Sequence, residues 1–205
     1  MNRIGIMGGT FNPPHNGHVH AARQAAQALQ FDRLLLIPDN IPPHKTMPQG
    51  SANGAQRLEM TRRMAALIPG AEASDMELKR GGRSFTADTL RRLTAENPGS
   101  RLYFIMGTDM LLSLDKWREP ETICALASLA VIARDDQDKA AIARKAAWLH
   151  ETWQAQVEQI DCPALPVSST ALRENRSLCR DMVPPDIFAY IEQQGLYFGR
   201  LPGQA

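Results

Sequence analysis

The chain has 205 residues, 43% of them hydrophobic and 22% charged, with a formal net charge of +1. That length allows one buried core with a small helical appendage, and the balanced charge excludes a basic nucleic-acid groove or a basic membrane-facing surface. Three scattered cysteines, Cys124, Cys162 and Cys179, with no Cys-x-x-Cys spacing, exclude a disulfide scaffold and fit a reducing cytoplasm.

The apolar run Ile4-Gly5-Ile6-Met7 reads as a first β-strand, entered too early to leave room for a signal peptide. Gly8-Gly9-Thr10-Phe11-Asn12-Pro13-Pro14-His15-Asn16-Gly17-His18 follows, and then an Ala-rich helical run, Val19 to Leu29. So a strand ends, two glycines offer a tight turn, and two histidines arrive where a helix begins. The first N–H groups of a helix have no partners within it, and its dipole favours an anion there. His15 and His18, three residues apart, can reach the same anion, so the stretch reads as a phosphate-handling site. It is not Gly-x-Gly-x-x-Gly, and no Gly-Lys-Ser/Thr follows, so the dinucleotide fingerprint and the P-loop both fail. The bland alternative is a turn carrying two surface histidines. A zinc site is another, since His20 and His44 add imidazoles, but no Cys or acidic residue lies near His15, His18 and His20 to close a ligand set.

Leu34 to Ile37 reads as a second strand. Pro42 to Gly54, rich in Pro, Gly, Ser and Asn without periodicity, reads as a flap, and Ala55 to Leu67 as a helix. Ser84 and Thr86 stand before the helical pattern Ala87 to Ala95 and are expected to cap it. Leu102 to Met106 reads as a strand, and Asp109 after it as an N-cap for Leu111 to Leu114. Trp117, flanked by Lys116 and Arg118, is a poor candidate for full burial. Ala130 to Ala133 reads as a strand, Ala140 to Trp153 as a helix, and Val157 to Ile160 as a further candidate strand. Ser168-Ser169-Thr170-Ala171-Leu172-Arg173 offers hydroxyls at a helix start and then a guanidinium, which is equally an ordinary N-cap. A last helix, Pro184 to Gln194, has prolines and Asp186 at its start and Gly195 at its stop. Alternating strands and helices argue for an α/β fold with a parallel sheet, in which ligands bind at the carboxyl ends of the strands. No apolar run approaches a membrane span.

The string Gly-x-Phe-x-Pro-x-His-x-Gly-His after a strand resembles the signature of the nucleotidyltransferase superfamily, which also carries a late Ser-Ser/Thr-Thr-x-x-Arg segment. Pro38-Asp39-Asn40-Ile41-Pro42-Pro43-His44-Lys45, Gly82-Arg83-Ser84-Phe85-Thr86-Ala87-Asp88-Thr89-Leu90, Gly107-Thr108-Asp109 and Lys116-Trp117 follow in order. Together they are similar to the bacterial nicotinate mononucleotide adenylyltransferases, over nearly the whole chain. Phe85 stands where the family commonly has an aromatic with a hydroxyl, and Arg134-Asp135-Asp136 where it often has Arg and then Pro or Gly. The resemblance implies a Rossmann-like, doubly wound parallel sheet with a small C-terminal helical segment at about 168–198. One domain would span 1–198, with 199–205 a flexible tail.

The resemblance also implies roles. His15, His18, Lys45 and Arg173 would be catalytic. Gly8, Gly9, Thr10, Phe11, Gly107, Asp109, Arg134, Ser168, Ser169 and Thr170 would bind ATP together with His15, His18 and Arg173. Asn40, Lys45, Ser84, Phe85, Thr86, Asp109 and Trp117 would bind nicotinate mononucleotide. No protein metal site is expected, and Mg²⁺ would arrive on the ATP phosphates. ATP and nicotinate mononucleotide would be the partners, without nucleic acid or membrane, in the cytoplasm; a homo-oligomer stays open. Three alternatives stand beside this reading: another small nucleotidyltransferase (a phosphopantetheine adenylyltransferase or a cytidylyltransferase), a fragment of a class I aminoacyl-tRNA synthetase, and a nucleotide-sensing module without turnover.

Overall fold

The computed structural model describes residues 1–43, 46–133, 135–163, 165 and 167–199, and of Asp136 the backbone alone. The strands are β1 (Arg3–Gly9), β2 (Arg33–Pro38), β3 (Ala71–Ala73), β4 (Arg101–Gly107), β5 (Ala127–Ala133) and β6 (Val157–Asp161). The helices are α1 (Asn16–Leu29), α2 (Gly54–Ala66), α3 (Met76–Arg80), α4 (Thr86–Glu96), α5 (Thr108–Leu112), α6 (Pro120–Leu126), α7 (Asp136–Trp153), α8 (Ser169–Glu174), α9 (Arg176–Met182) and α10 (Pro185–Gln193). A single 3-10 turn, Leu114–Lys116, follows α5. No helix among the described residues is long and apolar enough to cross a membrane.

The six strands form one parallel sheet in the order β3-β2-β1-β4-β5-β6. This is the doubly wound arrangement expected from the alternating pattern. Both faces of the sheet are covered, which is why its strands are continuous apolar runs. Leu34, Leu36, Tyr103, Ile105, Ala130 and Ile132 point to one face, where α1, α2, α8, α9 and α10 pack. Leu35, Ile37, Leu102, Phe104, Leu129 and Val131 point to the other, against α3 to α7. Full burial of such a side chain contributes about 1.5–3 kcal/mol. β1 also needs Gly5, because a Cβ there would stand 2.5 Å from the Phe31 ring.

The expected strands and longer helices are all present, with ends moved by a few residues. Asp135 caps α7 through Asp138 N–H at 2.8 Å, so that helix starts earlier than its apolar pattern. β3, with the sequence Ala-Glu-Ala, carries no apolar run and is a strand because β2 pairs with it. The order reverses between β1 and β4. At that point the carboxyl ends of two neighbouring strands lead away to opposite faces and leave a crevice between them.

Candidate active site

The crevice is a cleft of about 870 Å³ at the carboxyl ends of β1, β2 and β4, reaching the start of α8. Its lining includes Gly8, Gly9, Thr10, Phe11, His15, His18, Ser84, Phe85, Thr86, Gly107, Trp117, Ser168, Ser169, Thr170 and Arg173. Segments as far apart in sequence as Gly8 and Arg173 therefore share one wall. Lys45 and Arg134 lie outside the described residues, as does the tail after Gly199.

One end is built by the loop between β1 and α1. The glycines do not make its turn: β1 continues through Gly8 and Gly9, and the left-handed residue is Phe11, at φ 48°. The glycines instead keep the cleft floor low. A Cβ on Gly9 would stand 3.2 Å from the Phe11 ring, and one on Gly8 would meet Phe104 at 3.7 Å. A buried aromatic in that conformation is strained, and the loop is held from several sides. Asn12, buried, donates to Ser51 Oγ at 2.9 Å and accepts at Oδ1 from Ala52 N–H and the Tyr197 hydroxyl. Its carbonyl accepts from Arg173 Nη1 at 2.8 Å, and the Pro13 carbonyl accepts from Ser169 Oγ at 2.9 Å. Burial raises the Tyr197 hydroxyl well above its ordinary range, so it stays a donor. The far end of the 42–54 loop is thus pinned to the first loop, with Ala52 buried and Asn53 capping α2.

His15 is the N-cap residue of α1. Its backbone N–H donates to His18 Nδ1 at 3.2 Å, which in a neutral ring places the His18 proton on Nε2. The two imidazoles stack at 3.7 Å between centroids, and His18 meets the Phe11 ring edge-on. Gly17 makes this possible, since a Cβ there would lie 3.0 Å from both His15 Nδ1 and Val167 Cγ1. His15 is 7% exposed and its Nδ1 has no hydrogen-bond partner. Burial pushes its pKa down to about 4. The unfolded chain, with His15 near 6.5, therefore takes up this proton more readily than the fold. Stability should fall as pH drops from about 6.5 toward 4 and should gain nothing from His15 above that window. Urea midpoints at pH 7 and pH 5 check this. The His15→Gln protein should lose less between the two pH values than the natural chain, and an equal loss would refute it.

Behind the cleft lies an ion pair that the sequence pattern did not reveal. Arg57, 2% exposed on α2, sits 3.2 Å from Asp39. It also donates to the carbonyls of Thr10 at 3.0 Å and Asn40 at 3.2 Å, while the Thr10 hydroxyl donates to Asp39 at 2.8 Å. The ends of β1 and β2 are tied together through these four residues.

The other end of the cleft is aromatic. Trp117 is half-buried with its ring edge-on to Phe104, and the Arg118 guanidinium lies 4.5 Å from the centre of the Phe85 ring. Two capping expectations fail here. The N-cap residue of α4 is Phe85, and no side chain caps that helix. Ser84 Oγ instead accepts from Asn40 N–H at 2.8 Å, alongside the Ser84 N–H to Ile41 carbonyl bond. Asp109 is not the cap of α5 either; Gly107 holds that position and Asp109 is exposed in the first turn. β4 runs straight into α5 and leaves no residue to spare for an Asx turn, while before α4 the Ser84 hydroxyl is taken by Asn40. Ser168 does cap α8, accepting from Ala171 N–H at 3.2 Å. Among the described residues, no three His, Cys, Asp or Glu side chains gather as a metal-binding group.

Residues 6–175 match the cytidylyltransferase-like family model. A relative from Synechococcus sp. named probable nicotinate-nucleotide adenylyltransferase is 38% identical over 198 residues, covering 95% of this chain and 96% of that one. One of the same name from Oceanobacillus iheyensis is 35% identical over 204 residues, covering 98% and 100%. A solved structure of Plasmodium falciparum nicotinic acid mononucleotide adenylyltransferase complexed with NaAD matches with a TM-score of 0.77 at 18% identity, covering 98% of this chain and 100% of that one. At that identity the likeness speaks to the fold.

Proposed function

The chain belongs to the nicotinate-nucleotide adenylyltransferases of the cytidylyltransferase-like family, nucleotidyltransferases of NAD biosynthesis, and from that premise we propose how its cleft carries out the transfer. The phosphate of nicotinate mononucleotide attacks the α-phosphorus of ATP in line, and pyrophosphate leaves as nicotinate adenine dinucleotide forms. The attacking phosphate is already anionic at neutral pH, so neither a protein nucleophile nor a strong base is needed. Catalysis is then positioning and charge stabilisation.

The observation that carries this reading is that one cleft brings the imidazole, hydroxyl and guanidinium donors of His15, His18, Ser169, Thr170 and Arg173 together with the rings of Phe85 and Trp117. His18, through Nε2–H, together with His15, Arg173 and the Ser169 and Thr170 hydroxyls, holds the triphosphate at the start of α1. Lys45 adds positive charge, and Asp109 accepts ribose hydroxyls. Apart from Asp109, these groups are cations and N–H or O–H donors, a set that fits a nucleotide carrying Mg²⁺ on its own phosphates and water. When bound, that ion neutralises phosphate charge. Incubating the protein with ATP and nicotinate mononucleotide tests the proposal: pyrophosphate and the dinucleotide should appear in equal amounts, and their absence would refute it.

Trp117 presents a flat ring to the pyridine. Stacking contributes about 0.5–1.5 kcal/mol beyond area burial, so Trp117→Ala should raise KM for the mononucleotide roughly 2- to 10-fold. KM for ATP should stay within about two-fold. If only thermal stability falls, the ring is a core element.

No side chain caps α4, which supports a reading in which its first N–H groups and the positive end of its dipole receive the pyridine substituent. A carboxylate gains charge-assisted bonds there, whereas a carboxamide turns its NH₂ donors toward donors. The mismatch costs ~1–3 kcal/mol, so kcat/KM should favour nicotinate over nicotinamide mononucleotide by roughly 5- to 150-fold. Measuring both at one pH and salt concentration decides it; equal values would show that this helix end does not read the carboxylate.

A further inference from the structure

Glu77, on α3, is 7% exposed, yet it lines the cleft beneath the aromatic end. No step of the transfer uses it. A carboxyl group taken out of water is retained only where its lone pairs are satisfied. Here Glu77 Oε1 accepts the Thr89 hydroxyl at 2.6 Å, and Thr89 Oγ1 accepts from Arg80 at 3.1 Å. Burial raises the Glu77 carboxyl above its ordinary range, and Asp39 adds to the rise. The Thr89 and Ser84 hydroxyls and the Arg80 guanidinium act the other way.

Ser84, whose hydroxyl favours the ionised Glu77 carboxyl, accepts the Asn40 N–H at its oxygen at 2.8 Å. Asn40 Nδ2 in turn donates to the Gly82 carbonyl at 2.9 Å. One buried acid thus holds a hydroxyl of the first turn of α4, next to the Ser84 link that joins the start of this helix to Asn40 beyond β2. The Thr89 hydroxyl hydrogen, taken by Glu77, does not donate into the cleft.

We propose that Glu77 is a specificity-determining positioning residue: by accepting the Thr89 hydroxyl hydrogen it fixes the first turn of α4 against α3, beside the Ser84 link to Asn40, and so sets the geometry in which backbone N–H groups meet the pyridine substituent. This rests on the reading of α4 as the element that receives the carboxylate. Glu77 itself touches no substrate atom. Its side chain acts through the Thr89 hydroxyl it holds, so its loss should change discrimination between substrates rather than the chemical step.

The test compares kcat and KM for nicotinate mononucleotide, nicotinamide mononucleotide and ATP in the natural protein and in Glu77→Gln, Thr89→Val and Thr89→Ser. In Glu77→Gln one of the two carboxyl oxygens becomes an NH₂ donor, and the negative charge that strengthens the bond from the Thr89 hydroxyl is lost. The acid-to-amide ratio of kcat/KM should fall roughly 5- to 50-fold, through KM for the acid, with kcat and KM for ATP within about two-fold. Thr89→Val should lower the ratio in the same sense, and Thr89→Ser, which keeps the hydroxyl, should restore it. Thr89→Val carries the test if Glu77→Gln does not fold. An unchanged ratio in both Glu77→Gln and Thr89→Val overturns the proposal, as does tighter binding of the acid to Glu77→Gln, the sign of simple charge repulsion. A natural protein without preference for the acid refutes the α4 reading and this inference with it. A natural preference that survives both substitutions refutes the inference alone.

Discussion

Replacing His18 with alanine is expected to lower turnover about 10²- to 10⁴-fold, the range for losing a donor that acts on charge developing in the transition state. The ring is set for that task before substrate arrives. The His15 backbone N–H occupies Nδ1, and the edge of Phe11 packs against the ring. The imidazole thus comes with its tautomer and orientation already chosen, at the start of a helix whose dipole favours phosphate. Nothing has to reorganise as negative charge builds on the α-phosphate. His18→Ala also strips an acceptor from one backbone N–H, so circular dichroism and a thermal melt accompany the kinetics. His18→Asn, whose side-chain oxygen can take over that acceptor role, separates the two effects: it should keep the melting temperature and still lose most of the turnover. Turnover of His18→Ala within a few-fold of the natural protein, with a native spectrum, would remove His18 from the mechanism.

The largest stability effect is expected at Arg57. Arg57→Ala leaves Asp39 buried without its cation and deprives the Thr10 and Asn40 carbonyls of a donor. Breaking one side of a buried pair costs about 3–5 kcal/mol. For a chain of this size each kcal/mol lowers Tm by roughly 2–4 °C, so a drop on the order of 10 °C should be seen. Adding Asp39→Asn should recover part of the loss, because the stranded charge is gone. The single variant should also weaken binding at both ends of the cleft, since Thr10 lines one and Asn40 bonds Ser84 at the other. A loss below about 1 kcal/mol would mean that water takes over the freed groups, and that the pair is not what ties β1 to β2.

The elements of the fold were legible because they depend on local pattern. Leu34 to Ile37 or Leu102 to Met106 must be buried on both sides whatever their partners, and four such runs alternating with amphipathic helices already imply a parallel sheet. The phosphate end of the site was legible for a similar reason: a strand end, a helix start and two histidines lie within eleven consecutive residues, Gly8 to His18. The tertiary structure decided what depends on pairing between distant residues. Arg57 reads in sequence as one more charge on a helix; only the packing of α2 against the ends of β1 and β2 buries it beside Asp39. Asn12 finds Tyr197 185 positions away, and Glu77 becomes an acceptor for α4 because α3 runs beneath it. Ser84 reads as a cap and becomes a cross-link to Asn40. Apolar burial follows from periodicity because it is non-directional. A buried polar group must meet one particular partner at one distance and angle, and that partner is chosen by the fold as a whole.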